Sequence, residues 1–589
     1  MMLQALIGYA ERELLVDPDF EVVGVRWLIP LDSDGRLACG PIPLTENPDE
    51  KKPRPKKLAR PFTSPNELNQ GTKSHFLCDT LERTALFLDA KAPEKADARR
   101  VQHTYFQSLL TEAAAACPHE AVSLRAVTSF LESESARTEL HRHLIDAKAK
   151  PTDNATFSVD GVRLLDADAL KSFWRARRRA AVSSAESRVQ RVCIATGQLT
   201  ETLDTTDKIK GVPGGLAVGT NLISFDKDSF CSFGLEQAQN AALSASAELK
   251  IRSALNELIE RSREQRLVFN ETAHLHWTRE PVDFDPMNLL AGADENAVAS
   301  LLRSVHDGQQ ILGIDANAYY AMSLSGNGAR IVVRDWLEST VPEVKRNIAD
   351  WFNDLAIVHP DGLSVKHDFK FGALLYAMVR AELDELPPAL PTQLLHGALR
   401  GRGVPLPQTA LAAAVRRQQL DQETKLNPAR LALIKACLLR SPNRKETDTM
   451  TEKLDPNSKD RAYRCGQLFA IIGRLQLLAL GKVGASIAER TYGGVATRPA
   501  TTFGPLFTKL PAYLKRANSR FGGSGTNKQK EIEGLCVCLE ELGGIPKTLG
   551  LEEQGRFALG YYCQLAQYRK DRAEDEAAKK AEELTEDTD

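Results

Sequence analysis

The first residues in this sequence that could do chemistry are histidines standing beside aspartates. His306-Asp307 and His367-Asp368 are dipeptides of the kind through which metal-dependent phosphohydrolases hold a cation. That chemistry needs further His and Asp ligands at concerted positions. The same dipeptides equally serve at a helix start or on a surface. His141-Arg142-His143 and His274-Leu275-His276 place two imidazoles at i and i+2. On a strand both would share one face and could grip a metal, though a polar strand face or a phosphate contact is the plainer reading. No GxxxxGK[ST] phosphate loop and no GxSxG elbow is present. The ten cysteines form no CxxC, so neither a zinc ribbon nor a thioredoxin-like pair is supported. No cofactor and no metal are implied.

Basic residues offer a different chemistry, the holding of phosphates. The formal charge is −2, yet charges act locally over a Debye length of about 10 Å, and here they are bunched. Lys51, Lys52, Arg54, Lys56, Lys57 and Arg60 crowd one proline-broken segment. Lys171, Arg175, Arg177, Arg178, Arg179, Arg188 and Arg191 crowd another, opposed only by Glu186. From Arg490 to Lys530 there is no acid at all, while Arg490, Arg498, Lys509, Lys515, Arg516 and Arg520 could line a groove that tracks a single strand. A solvated helix face would read the same way. The acids gather instead in the tail beyond residue 573.

Two glycine-bearing stretches stand beside these charges. In residues 208–226, KIKGVPGGLAVGTNLISFD, the glycines Gly211, Gly214, Gly215 and Gly219 permit close backbone approach. Such a loop can present bare N–H groups to phosphate, with Lys208 and Lys210 at its entrance. In residues 66–79, NELNQGTKSHFLCD, the side chains of Asn69, Gln70, Thr72, Lys73, Ser74 and His75 surround Gly71. Amides and hydroxyls on a glycine-relaxed tip are what base-edge or minor-groove reading uses. An ordinary solvated turn has the same composition.

The elements that must position these residues are mixed at first and helical later. Residues 22–29 (VVGVRWLI) are rich in β-branched types and run into the turn Asp32-Ser33-Asp34-Gly35, which predicts a hairpin. Four prolines mark residues 51–70 as an exposed loop. Ala247, Ile251, Ala254 and Leu258 share a helical face, and Val332-Val333 belong to a short strand. Beyond residue 350 the strand signals fade. Leu468, Ile472 and Leu475, then Leu535, Leu539 and Leu542, then Phe557, Tyr561 and Tyr568 mark the stripes of a helical bundle. Residues 441–459 read as a linker, and the tail past Arg572 as a frayed helix or disordered chain. The expectation is an α+β multidomain chain. Residues 1–345 form a mixed α/β domain, 346–449 a helical connecting region and linker, 450–575 an all-α bundle and 576–589 an acidic tail. No run is apolar enough to span a bilayer and no basic-then-apolar leader opens the chain, so a cytoplasmic protein is expected.

Longer motifs sharpen this. IKGVPGG, LISFD, SFCSFG and AELKIRSALN follow one another between residues 209 and 256. YYAMSLSGNGARIVVRDW (319–336), LDPNSKDRAYRCGQLFAIIGRLQ (454–476) with AERTYGGVATRPATTFGPL, and EQGRFALGYYCQ (553–564) complete an ordered series. Together they resemble the large subunit of the type I-C CRISPR surveillance complex Cascade, the Cas8c/Csd1 family. Residues 82–160 match no pattern of it. The resemblance implies a non-catalytic, DNA-binding subunit that reads the protospacer-adjacent motif in duplex DNA, promotes R-loop formation and holds the displaced strand. Its implied partners are target DNA, the guide RNA complex, repeated backbone subunits, the guide-end-capping subunit and a recruited helicase-nuclease. Motif reading then falls to residues 69–74, with Lys210, Gly214, Gly215 and Gly219 as a second contact or wedge. The resemblance also implies that the C-terminal region can be made separately as a small subunit. Met450, which stands just ahead of the bundle, is the candidate internal start. The alternatives are a metal-dependent nuclease built on the two His-Asp dipeptides, and a scaffold that never touches DNA.

Overall fold

The computed structural model describes residues 2–13, 19–46, 53–63, 68, 71–89, 92–183, 190–225, 227–306, 317–421, 427–444, 450–481 and 483–586. They divide into two compact units, residues 1–260 with 326–332, and residues 261–325 with 333–589.

The first unit carries β1 (Phe20–Val25), β2 (Trp27–Leu31), β3 (Ile42–Pro43), β4 (Lys56–Pro61), β5 (Cys78–Thr80), β6 (Asn154–Val159), β7 (Val162–Arg163), β8 (Gln190–Val192) and β9 (Leu199–Glu201). The apolar run at 22–29 does not make one strand. It breaks at Arg26, whose backbone N–H donates to the Asn154 carbonyl at 2.9 Å, so β1 and β2 enter different sheets. The predicted turn forms, with the Arg36 N–H donating to Asp32 Oδ1 at 2.8 Å, and β3 returns antiparallel to β2. β2 and β6 pair in parallel at the centre of the order β3-β2-β6-β5, with β7 beside β6. β6 is buried along nearly its whole length, as a strand covered on both faces must be. The helices Ala96–Ala116, Ala121–Glu132 and Glu134–Asp146 supply Phe106, Phe130 and Leu140 to the same core. Residues 82–160, in which the sequence reading named no motif, thus build much of this unit's interior.

The reading of residues 51–70 as an exposed loop is corrected. Lys56–Pro61 is β4, paired antiparallel with β1, and Arg60, Phe62 and Thr63 are buried. Pro55 precedes this strand and Pro61 ends it, positions where no ladder donor is required.

Further along the chain β10 (Val268–Phe269), β11 (Thr272–Thr278), β12 (Ala318–Asn327) and β13 (Arg330–Thr340) lie in that order in one sheet. β13 extends the expected short strand at Val332 to 11 residues. Beyond residue 350 only the two-residue pair β14 (Ile357–Val358) and β15 (Val365–Lys366) interrupts the helices among the described residues. One core runs from Leu267 through Trp351, Leu394 and Leu433 to Tyr562. A second gathers Leu468, Ile472, Leu475, Val495, Phe503 and Phe557. The helices begin on their expected signals: Asp460 caps Arg461–Leu480, and Ser486 with Glu489 forms a capping box on Ile487–Thr497. Gly466 and Gly560 let the Arg461–Leu480 and Leu551–Glu586 helices touch through backbone, because a Cβ on either would strike the Phe557 or Tyr463 carbonyl. The last helix continues to Glu586. The fold class is as expected, sheets and helices mixed in the N-terminal region and mostly helices in the C-terminal region. Among the described residues no helix is long and apolar enough to cross a membrane.

Candidate nucleic-acid interface

The charged centre of the first unit is a cross-strand pair. Glu21 on β1 faces Arg60 on β4, and Arg60 Nη2 donates to Glu21 Oε1 at 2.7 Å. Arg60 is only 6% exposed. Burial pushes the Glu21 carboxyl up, but Arg60, with help from Lys210, outweighs it and holds it below the usual range. His75 is kept neutral, its pKa driven well down by burial and by Arg60. Its backbone N–H donates to Asp79 Oδ2 at 2.8 Å, and Asp79 also receives Arg83. Phe62, just past β4, has two guanidinium groups over its ring, Arg252 at 4.4 Å and Arg178 at 4.9 Å from the centre. Arg175 stacks similarly on Phe20 at 5.3 Å. These aromatic contacts align three arginines around one ribbon.

Both glycine-bearing stretches reach this ribbon. Gly71 adopts φ +76, and Thr72 is exposed. Lys73 is half-buried. Ser74 is fully buried, since the chain turns inward there, and Phe76 stacks on Trp174 at 5.4 Å. Asn69 and Gln70 lie outside the described residues. From the other stretch Lys210 is exposed, yet near enough to act on the charge of Glu21 and His75. Its backbone N–H donates to Asn256 Oδ1 at 3.0 Å.

The glycine loop is closed rather than loose. Ile209 and Thr220 exchange backbone hydrogen bonds of 2.8 and 2.9 Å across its neck. Gly219, at φ +100, is buried, and a Cβ there would sit 2.9 Å from the Lys208 side chain. Gly215 lies under Gly326, where a Cβ would strike the Gly215 backbone, and the Gly326 N–H donates to the Pro213 carbonyl at 2.7 Å. Gly215 and Gly219 therefore serve packing within the loop. Gly214, at φ +70, and Lys210 face solvent.

The acid-free stretch of the second unit spreads over three helices. Arg490 lies on Ile487–Thr497, Arg498 joins it to Pro499–Phe507, and Lys509 precedes Leu510–Phe521, which carries Lys515, Arg516 and Arg520. All six are exposed. Arg520 has a further duty, since its Nη1 donates to the Ala479 carbonyl at 3.2 Å and so caps the Arg461–Leu480 helix. Met450 is partly buried against the larger core.

The metal readings do not assemble. Among the described residues no group of three or more His, Cys, Asp or Glu could hold an ion. His141 and His143 lie on a helix, not a strand, so i and i+2 do not share a face. His141 Nε2 meets the Ala85 carbonyl at 2.8 Å. His274 and His276 do lie on one face of β11 but are buried against Ser323 at 2.8 Å and Gln265 at 3.2 Å. Asp368 is held by Lys366 at 2.8 Å, and Asp307 lies outside the described residues.

Residues that sequence reasoning missed are Arg252, Glu248 and Phe233. Arg252 and Glu248 looked like ordinary helix charges, and only their pairing at 3.4 Å beside Phe62 singles them out. Burial pushes the Glu248 carboxyl up to about 7. The family model described as CRISPR-associated protein (Cas_Csd1) matches residues 6–569 of the chain. No curated protein matches it.

Proposed function

We propose, for a chain that belongs to the CRISPR-associated Csd1 family, that it is the DNA-reading large subunit of a type I-C Cascade complex. In this reading the first unit recognises the protospacer-adjacent motif in duplex DNA, opening of the adjacent strands follows, and guide pairing supplies the remaining specificity. The displaced strand is held along Arg490, Arg498, Lys509, Lys515 and Arg516, whose exposed side chains suit a sequence-tolerant groove. The guide RNA complex, repeated backbone subunits, guide-end-capping subunit and recruited helicase-nuclease are its partners. The chain itself cleaves nothing. Translation from Met450 supplies a separate small subunit from the C-terminal helices.

The observation that supports the reading is what meets at the β1–β4 ribbon. His75, which follows the Gly71–Ser74 turn, lies 3.8 Å from Glu21, and Lys210 of the glycine loop is near enough to lower the Glu21 pKa. Two segments chosen separately from sequence thus flank one set of arginines. The test is target binding by the guide-loaded complex carrying Lys73→Ala with Lys210→Ala, where affinity should fall about tenfold and less steeply with salt. Asn69→Ala and Gln70→Ala should instead relax the preference among target-adjacent trinucleotides. Unchanged binding and preference in all of these would favour a scaffold. Sustained cleavage of DNA by the isolated protein with manganese would establish the nuclease alternative.

A further inference from the structure

Phe233 is 99% exposed. Its backbone stands at φ +55, in the left-handed region that bulky residues avoid. Folding alone favours neither feature, since exposure forfeits burial and the backbone angle costs strain. The loop that carries Phe233 is nevertheless braced on both sides. The Ser232 N–H donates to Asn240 Oδ1 at 3.0 Å, while Asn240 Nδ2 donates to the carbonyls of Leu235 at 3.0 Å and Gln237 at 3.1 Å. The Leu235 N–H closes a turn onto the Ser232 carbonyl at 2.9 Å, and Glu236 with Gln239 forms a capping box just beyond.

Two cations stand at the start of the same loop. Arg330 lies over the ring of Phe230 at 4.7 Å, and exposed Lys227 precedes it. Arg330 is also bridged to Asn221, at the end of the glycine loop whose Lys210 faces solvent. One hydrogen-bonded loop therefore holds the Phe233 ring out in water, with Lys227 and Arg330 at the neighbouring Phe230 suited to phosphates. Apolar wedges of this kind enter duplex DNA between base steps and unstack them, with basic neighbours on the backbone.

We propose that Phe233 is an intercalating side chain, inserted at a base step of duplex DNA where the strands part and then stacked on the first unpaired base. This rests on the DNA-reading function proposed above and assigns one residue of that work.

The guide-loaded complex carrying Phe233→Ala or Phe233→Trp would be compared with wild type on two targets. One is fully paired with 2-aminopurine beside the protospacer-adjacent motif, and the other is opened in advance as a bubble. Phe233→Ala should slow strand opening on the paired target by about tenfold or more, the range expected for losing one aromatic stack, and leave bubble binding unchanged. Phe233→Trp should restore opening and show quenched indole fluorescence on binding. Opening by Phe233→Ala at the wild-type rate overturns the inference. So does failure of that variant to join the backbone subunits, which would make Phe233 a protein contact. If wild type binds neither target, the DNA-reading function fails and carries this inference with it.

Discussion

Burying a histidine with no carboxylate to charge it makes a protein acid-sensitive, and His274 is placed in this way. Burial lowers its pKa from 6.5 to about 4. Between those values the unfolded chain binds a proton that the folded chain refuses, so stability is full above pH 6.5 and falls as pH drops through the window. The slope is about 1.4 kcal/mol per pH unit for each such group. His276, also lowered to about 4 by burial, acts in the same direction. Urea unfolding at pH 7.5 and pH 5 should show the loss, and His274→Gln should flatten it. Parallel pH profiles for the two proteins would refute the assignment. Asp354 makes a second prediction. This buried carboxylate receives Arg440 at 2.7 Å and Arg402 at 2.7 Å, and Arg440 is itself buried beside Trp351. Asp354→Ala strands a buried guanidinium and should cost roughly 3–5 kcal/mol, read as a lower unfolding midpoint.

Helices that meet through glycine leave no room for a side chain. Gly466→Val or Gly560→Val should separate the Arg461–Leu480 and Leu551–Glu586 helices and lower stability by about 1–3 kcal/mol or more. Thermal unfolding checks this, and a neutral result would mean that the crossing is looser than the backbone distances imply. On the Leu510–Phe521 helix, Lys515→Gln with Arg516→Gln should reduce the salt dependence of single-strand binding by about one unit of slope. An unchanged slope would take these two residues out of the groove. Elements themselves were legible to different degrees. The helical stripes at 247–258 and 468–475 appear where periodicity placed them, because burial of one face writes a period into sequence. β4 was hidden by its prolines, which mark loops in general but tolerate strand ends.

At the scale of the molecule, the Leu551–Glu586 helix serves two cores. Phe557 and Tyr561 enter one, while Leu559, Tyr562 and Cys563 enter the other, where the Tyr562 hydroxyl donates to the Val358 carbonyl at 2.5 Å. A chain beginning at Met450 keeps the first core and loses the partners of the second. Such a fragment, residues 450–589, should stay helical but self-associate through the exposed face. Tyr562→Arg should return it to monomer without loss of helicity. Sedimentation and circular dichroism measure both, and a monomeric unmodified fragment would show that this face needs no cover.

Sequence alone determined what local chemistry can encode: the mixed-then-helical order, the turn at Asp32–Gly35, the clustering of cations and the ordered family motifs. Each depends on residues a few positions apart. Tertiary structure decided which of those features meet. Glu21 and Arg60 lie 39 residues apart and pair only because β1 and β4 do. Gly215 acquires its packing role from a hairpin tip more than a hundred residues later. Strand pairing and close backbone approach are properties of distant segments, and no spacing within either segment carries them.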